Sequence, residues 1–231
     1  MRLLLIGYGR MGKAVDRLSG SYGCTVAGRL DVDDNAAGRG ITAEAVAGVD
    51  VAVDFSVPDA VAETLPRLAG HGVNVVVGTT GWAAHEPEMR RVAADAGIGV
   101  VAAANFSLGV NLFLALTERA AELFADRPEF GAYIHELHHA AKLDAPSGTA
   151  LAMRNAMTWR GYGGPIDMAS SRAGSAPGMH TVAFDGPVES IALTHTTRDR
   201  DTFARGALEA ARWVQGRQGW FSMRDVLGLE G

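Results

Sequence analysis

The segment His138-His139-Ala140-Ala141-Lys142-Leu143-Asp144-Ala145-Pro146-Ser147-Gly148-Thr149 places two adjacent imidazoles and one ammonium just ahead of a stretch suited to open a helix. Imidazole exchanges protons near neutral pH, and lysine supplies a compact positive charge. Asp144 or Ser147 suits the cap of a helix beginning near Gly148, which leaves the amides of Gly148 and Thr149 to grip a carboxylate. Together these groups describe a pocket for a small acidic molecule that gains or loses a proton.

The neighbouring His135-Glu136-Leu137-His138-His139 spells H-E-x-x-H, a zinc-peptidase pattern. That motif needs a helix, where residues i and i+4 share a face. Tyr133 and Ile134 favour a strand instead, and on a strand residues four apart are separated by roughly 13 Å and cannot share one ion. No metal is expected. On a strand end, His138 and His139 point to opposite sides, so one acts as proton donor while the other packs or binds. Arg172 and Arg200 are further cations without an assigned role.

A second chemistry lies at the other end of the chain. Gly7-Tyr8-Gly9-Arg10-Met11-Gly12 is G-x-G-x-x-G, directly after a predicted strand and opening a predicted helix. The glycines permit a tight turn, close approach to a pyrophosphate, and close helix-to-strand packing. Asp31 closes the second predicted strand, where a carboxylate is expected to meet the adenosine ribose of a dinucleotide. Val32 follows where an arginine would have held a 2′-phosphate, so NADH is favoured over NADPH, which Arg10, Arg29 or Arg39 would still admit. Asp54-Phe55-Ser56, Gly78-Thr79-Thr80-Gly81 and Ala103-Ala104-Asn105-Phe106-Ser107 each follow a predicted strand, the position where open α/β sheets bind ligands. Ordinary turn chemistry explains these three equally well.

The elements that must position these residues alternate over the first hundred positions. Strands are predicted at 2–6, 25–30, 49–55, 73–77 and 98–102, with helices at 11–21, 58–70 and 86–96 and a short one near 42–47. Continuous apolar strands alternating with helices indicate a parallel sheet covered on both faces. After Asn105 the pattern changes to a helix at 110–125, a strand at 130–138 and a helix at 148–160. Strands at 166–172, 180–185 and 190–196 follow, giving an antiparallel or mixed sheet. A last helix at 202–215 precedes a tail, 220–229, apolar enough to dock.

Composition narrows the partners. The 231 residues suffice for one large domain or two small ones, and a net charge of -5 lacks the basic footprint of a nucleic-acid binder. The single cysteine, Cys24, permits no internal disulfide and fits a reducing compartment. The run Leu3–Ile6 is too short for a signal-peptide core and no stretch approaches a membrane span, so a cytoplasmic location is expected.

These residues resemble the dihydrodipicolinate reductase family. The likeness runs nearly end to end, through Gly9–Gly12, Asp54–Ser56, Gly78–Gly81, Asn105–Asn111, Glu136–Ala150, Arg172–Gly174 and Met223–Leu227. The resemblance implies a Rossmann domain over 1–106, completed by 201–231, and a central α+β domain over 107–200 that binds substrate and forms a homotetramer. It implies cofactor contacts from Gly7, Tyr8, Gly9, Arg10, Met11, Gly12, Asp31, Gly78, Thr79, Thr80, Ala103, Ala104, Asn105 and Phe106, with Arg200 and Phe203 facing the cofactor. It also implies His138 as the acid/base group, Lys142 as a second proton-donating or carboxylate-binding group, and His139, Gly148 and Thr149 as substrate contacts. The implied reaction is NAD(P)H-dependent reduction of a cyclic imine dicarboxylate in lysine and diaminopimelate synthesis. Three competing readings are another two-domain NAD-dependent dehydrogenase for an amino acid or sugar, a nucleotide-sensing module and a zinc hydrolase. None of the three accounts for the histidine–lysine segment together with the glycine loop.

Overall fold

The computed structural model describes residues 1–229. In chain order its elements are β1 (Arg2–Ile6), α1 (Arg10–Ser19), β2 (Thr25–Leu30), β3 (Val51–Asp54), α2 (Pro58–Gly70), β4 (Asn74–Val77), α3 (Glu86–Ala96) and β5 (Gly99–Ala102). They continue with α4 (Leu108–Phe124), β6 (Gly131–His138), α5 (Gly148–Trp159), β7 (Ile166–Arg172), β8 (Met179–Asp185), β9 (Ser190–Thr196), α6 (Asp201–Val214), β10 (Gly219–Phe221) and α7 (Met223–Val226). They form two compact units: Met1–Leu108 with the chain from Asp201 onward, and Gly109–Arg200.

The first unit is a six-stranded parallel sheet of order β10-β5-β4-β3-β1-β2. Period-two alternation sends Leu3, Leu5 and Val53 to one face, where they pack with Ala204, Ala207, Leu208 and Ala211 of α6. Leu4, Ile6 and Ala52 go to the other face, against Val61, Leu65 and Leu68 of α2 and Met89 of α3. Both faces are covered, which is why every residue of β3 and β4 is buried and three consecutive residues of each are apolar. The tail supplies a sixth strand, β10, which pairs with β5 through Trp220–Val100 and Phe221–Val101. A capping box between Ser222 and Asp225 then starts α7.

The short helix expected near Thr42–Ala47 is instead a run of turns. The Thr42 hydroxyl takes the Ala45 amide, a local bond that competes with helix, and Gly48 at φ 68° turns the chain away.

The second unit is a mixed four-stranded sheet, order β7-β6-β8-β9, with β6–β7 parallel and the other pairs antiparallel. Ile134, Val182 and Phe184 meet Phe113 and Ala121 of α4 and Met153 and Met157 of α5 on one face. β6 alternates cleanly, burying Ala132, Ile134, Glu136 and His138 on that face. No helix among the described residues is long and apolar enough to cross a membrane.

Candidate active site

The glycine loop joins β1 to α1. Gly7 turns at φ 82° and donates its amide to the Leu30 carbonyl at 2.8 Å. A Cβ on Gly7 would stand 2.5 Å from the Phe55 carbonyl oxygen, and one on Gly12 would stand 2.2 Å from that of Gly7. Both are glycine so that the helix can seat against the sheet. Gly9 differs, because a Cβ there would meet nothing within 4 Å. It caps α1 without a side-chain bond, and the first turn carries no acid, so the helix start has open space beside Gly9. That arrangement fits a dinucleotide pyrophosphate.

Tyr8 donates its hydroxyl to Asp16, which also accepts from Arg29 Nε at 2.7 Å and Nη2 at 3.0 Å. The Arg29 bonds hold the Asp16 carboxyl below the usual range despite partial burial. The same guanidinium lies 5.5 Å from the Tyr8 ring centroid, so Arg29 is engaged with Asp16 and Tyr8. Asp31 stands exposed just past β2, its Oδ1 accepting the Val32 amide at 3.0 Å.

At the carboxyl ends of β3, β4 and β5 the roles divide. Asp54 is buried and saturated: Oδ1 accepts from the Ser56 amide and hydroxyl and from the Thr79 hydroxyl, and Oδ2 accepts from Thr64. It ties the loops after β3 and β4 to α2. Gly78 is small because a Cβ would run into the Phe55 ring at 2.1 Å. Asn105 Oδ1 turns back onto the Ser107 amide at 2.8 Å, and Phe106 is buried edge-on to Phe55. Thr79, Thr80, Ala103 and Ala104 line a pocket of about 400 Å³ that Trp220 and Phe221 of the tail also line.

In the second unit the strand register assembles the chemistry. Glu136 lies beside Ser170 on β7 and His180 on β8, and His138 lies beside Arg172. Glu136 is fully buried, and its Oε1 accepts from Ser170 Oγ at 2.7 Å, Arg172 Nη2 at 2.7 Å and the Ser147 amide at 3.0 Å. Burial pushes its carboxyl up, but bonds from Ser147, Arg172 and Ser170 outweigh that and hold it at about 2. Oε2 stands 3.5 Å from both His138 Nδ1 and His180 Nε2. Burial lowers His138 and Glu136 partly restores it, while burial and His138 push His180 down to about 4. Ligand atoms of Glu136, His138 and His180 lie within 4.8 Å of one another, a spacing a metal ion uses. Arg172 already brings its guanidinium to that one carboxylate, so a dication would sit buried beside a fixed positive charge.

Arg172 also donates to the Asp144 carbonyl at 2.6 Å, tying the loop after β6 to the sheet. On that loop Lys142 Nζ is bound by both Asp144 carboxylate oxygens. Ser147, not Asp144, caps α5, its Oγ accepting the Ala150 amide at 3.2 Å. The cap leaves the amides of Gly148 and Thr149 at the helix start. His139 follows the strand end and is half-buried, its carbonyl accepting the Lys142 amide at 3.1 Å.

The strand preference of Tyr133 and Ile134 predicts a strand through His138, and β6 ends on that residue, which carries His135 to the opposite face and onto Ser171 at 3.1 Å. Glu136, Arg172 and His180 were not recognised as one cluster. The available signal was that Glu136 and His138 are two apart on a strand and therefore share its buried face.

Comparison with known proteins agrees along the whole chain. Residues 1–106 match the family model of the dihydrodipicolinate reductase N-terminus, and 109–227 that of its C-terminus. A 4-hydroxy-tetrahydrodipicolinate reductase from Christiangramia forsetii is 34% identical over 98% of both chains. One from Rhodopseudomonas palustris strain BisA53 is 39% identical over 99% of this chain and 97% of its own. Among solved structures, the dipicolinate-bound dihydrodipicolinate reductase from Paenisporosarcina sp. TG-14 superposes with a TM-score of 0.81 at 22% identity, covering 96% of this chain and 97% of its own. An amine dehydrogenase from Mycobacterium smegmatis shares the fold more distantly, at a TM-score of 0.59. The chain therefore belongs to the dihydrodipicolinate reductase family, oxidoreductases that work with a nicotinamide cofactor.

Proposed function

We propose that the protein reduces 4-hydroxy-tetrahydrodipicolinate to tetrahydrodipicolinate in lysine and diaminopimelate biosynthesis. The observation that carries this reading is the near full-length identity to reductases of that name, joined to a buried His138 and a loop lysine ahead of a capped helix start. The nicotinamide, when bound, supplies the hydride that ends on C4 of the substrate ring after the 4-hydroxyl and a proton of the neighbouring ring carbon have left as water. Electron density then rests on an enamine whose C3 needs a proton. His138 and Lys142 supply it, and a cationic site excluded from water stabilises the developing charge most. His139 and the amides of Gly148 and Thr149 hold the carboxylates.

Gly7–Gly12, Gly78–Thr80 and Ala103–Phe106 bind the cofactor, and Asp31 binds its adenosine ribose. NADH is the preferred form and NADPH the weaker one, because a carboxylate at Asp31 repels a 2′-phosphate while Arg29 is already committed to Asp16. The functional form is a cytoplasmic homotetramer built through the sheet of the second unit. The outward face of that sheet exposes Tyr133 and Thr194, consistent with a surface for another subunit.

The deciding experiment is a coupled assay supplying the aldolase product of pyruvate and aspartate semialdehyde, while NADH and NADPH oxidation are followed separately. Turnover with NADH exceeding that with NADPH is expected. Absence of turnover with either sinks the reading.

A further inference from the structure

We propose that Glu136 is a positioning residue for the proton step: its Oε2 accepts from His138 Nδ1–H, fixing the tautomer in which Nε2 is the nitrogen that exchanges a proton with substrate. The assignment of His138 as the acid rests on the function proposed above; the hydrogen-bond assignment does not.

Glu136 Oε1 is fully used by Ser170, Arg172 and Ser147, which pins the carboxylate in place. Its other oxygen, Oε2, is buried without a hydrogen-bond partner, and so is His138 Nδ1, 3.5 Å away. An unmet buried acceptor facing an unmet buried ring nitrogen is costly, and a shift of a few tenths of an ångström turns the pair into a charge-assisted bond. A carboxylate only accepts, so Nδ1 must carry the proton. The second ring nitrogen, Nε2, lies toward Gly178, where a Cβ would stand 3.4 Å from it. The glycine keeps that side of the ring uncrowded.

The surrounding charges are consistent with this role. Arg172 from β7, His180 from β8, and Lys142 and Asp144 from the following loop all face His138, while His195 acts on His180. Among them Glu136 is the strongest influence favouring the protonated ring, against burial and two cations. His180 is held neutral by burial and stacks edge-on to His138 at 5.0 Å, closing the cluster without adding a competing charge.

The test is long-range 15N–1H NMR on histidine-labelled protein at about pH 8, where histidines are largely neutral, with His138→Gln identifying the resonance. Wild type is expected to show His138 as the Nδ1–H tautomer. Glu136→Gln keeps an acceptor for Arg172, Ser170 and Ser147 but turns an amide donor toward Nδ1. It should switch His138 to the Nε2–H tautomer, lower kcat by about tenfold or more, and leave KM within about threefold. An Nε2–H tautomer in wild type, or an unchanged Nδ1–H tautomer in Glu136→Gln, overturns the proposal. The wild-type spectrum decides even if the variant does not fold. The tautomer is read without turnover, so an enzyme inactive on the proposed substrate would refute the function and leave this assignment standing.

Discussion

Lys142 Nζ is held by both carboxylate oxygens of Asp144, at 2.7 and 2.9 Å. The same pairing holds the Asp144 carboxyl below its ordinary range. A substrate carboxylate that binds Lys142 competes with this internal one for its three N–H donors. The pair is partly exposed, so its strength is small, about 1 kcal/mol or less. Asp144→Asn is expected to lower the substrate KM by about two- to fivefold, with kcat nearly unchanged, in steady-state kinetics. A raised KM would mean that Asp144 organises Lys142 for the substrate. Lys142→Ala and His138→Gln, by contrast, should lower kcat by about a hundredfold or more while NADH binding survives in a fluorescence titration. Near-normal kcat in either variant removes that residue from the proton step.

Acid should loosen the second unit in two stages. His180 titrates at about 4 in the fold against 6.5 ordinarily, so its contribution is complete above 6.5 and lost as pH falls through about 4. Glu136 titrates at about 2 against 4.5, so its contribution is complete above 4.5 and lost as pH falls through about 2. Both depressions have the same sign, and stability falls with pH in each window. Melting temperature followed from about pH 7 to about pH 4 should decline more steeply in wild type than in His180→Gln. His138 and His195, also lowered by burial, keep part of the slope in the variant. Identical slopes would show that His180 does not drive the first stage.

The glycine loop separates packing from binding. Gly12→Ala forces a Cβ to 2.2 Å from the Gly7 carbonyl and should drop the melting temperature sharply. Gly9→Ala meets no atom within 4 Å among the described residues and should cost about 1 kcal/mol or less as a cap change. It should nevertheless weaken NADH by about tenfold or more, because the new methyl would fill the open space beside the helix start. Calorimetry paired with a binding titration checks both. Unaltered affinity in Gly9→Ala would place the pyrophosphate elsewhere.

Asp31→Ala tests the ribose contact. Its carboxylate is exposed, with the Val32 amide as its neighbour, so little stability depends on it. NADH binding should weaken more than NADPH binding, measured as the ratio of the two Kd values. An equal loss for both cofactors would separate Asp31 from the ribose.

Much of this architecture was legible because the signals were local. Pro58 and Gly70 bracket α2 where the sequence predicts its ends, and Ile166–Arg172 and Ser190–Thr196 are strands over the predicted residues. The edge strand β10 was not recognised as a strand. Three residues carry too little periodicity, and its pairing with Val100 and Val101 spans more than a hundred positions. The cluster at Glu136 was hidden for a related reason. Ser170, Arg172 and His180 reach it only through the register of β6 against β7 and β8, which no local pattern specifies. The turns at 42–47 misled because Thr42 offers a side-chain alternative to the helical amide bond.

The placement of α6 and β10 in the first sheet has a consequence for synthesis. A ribosome that has completed β1 through β5 has made a sheet still lacking its edge strand and the helix whose alanines cover one face. The unit begun first is finished last, while the intervening 109–200 segment, whose core is drawn from its own strands and helices, can fold as it emerges. Until α6 is made, α1 gives the face carrying Leu3, Leu5 and Val53 only part of its cover, which makes termination within α6 a route to aggregation rather than to a shortened enzyme.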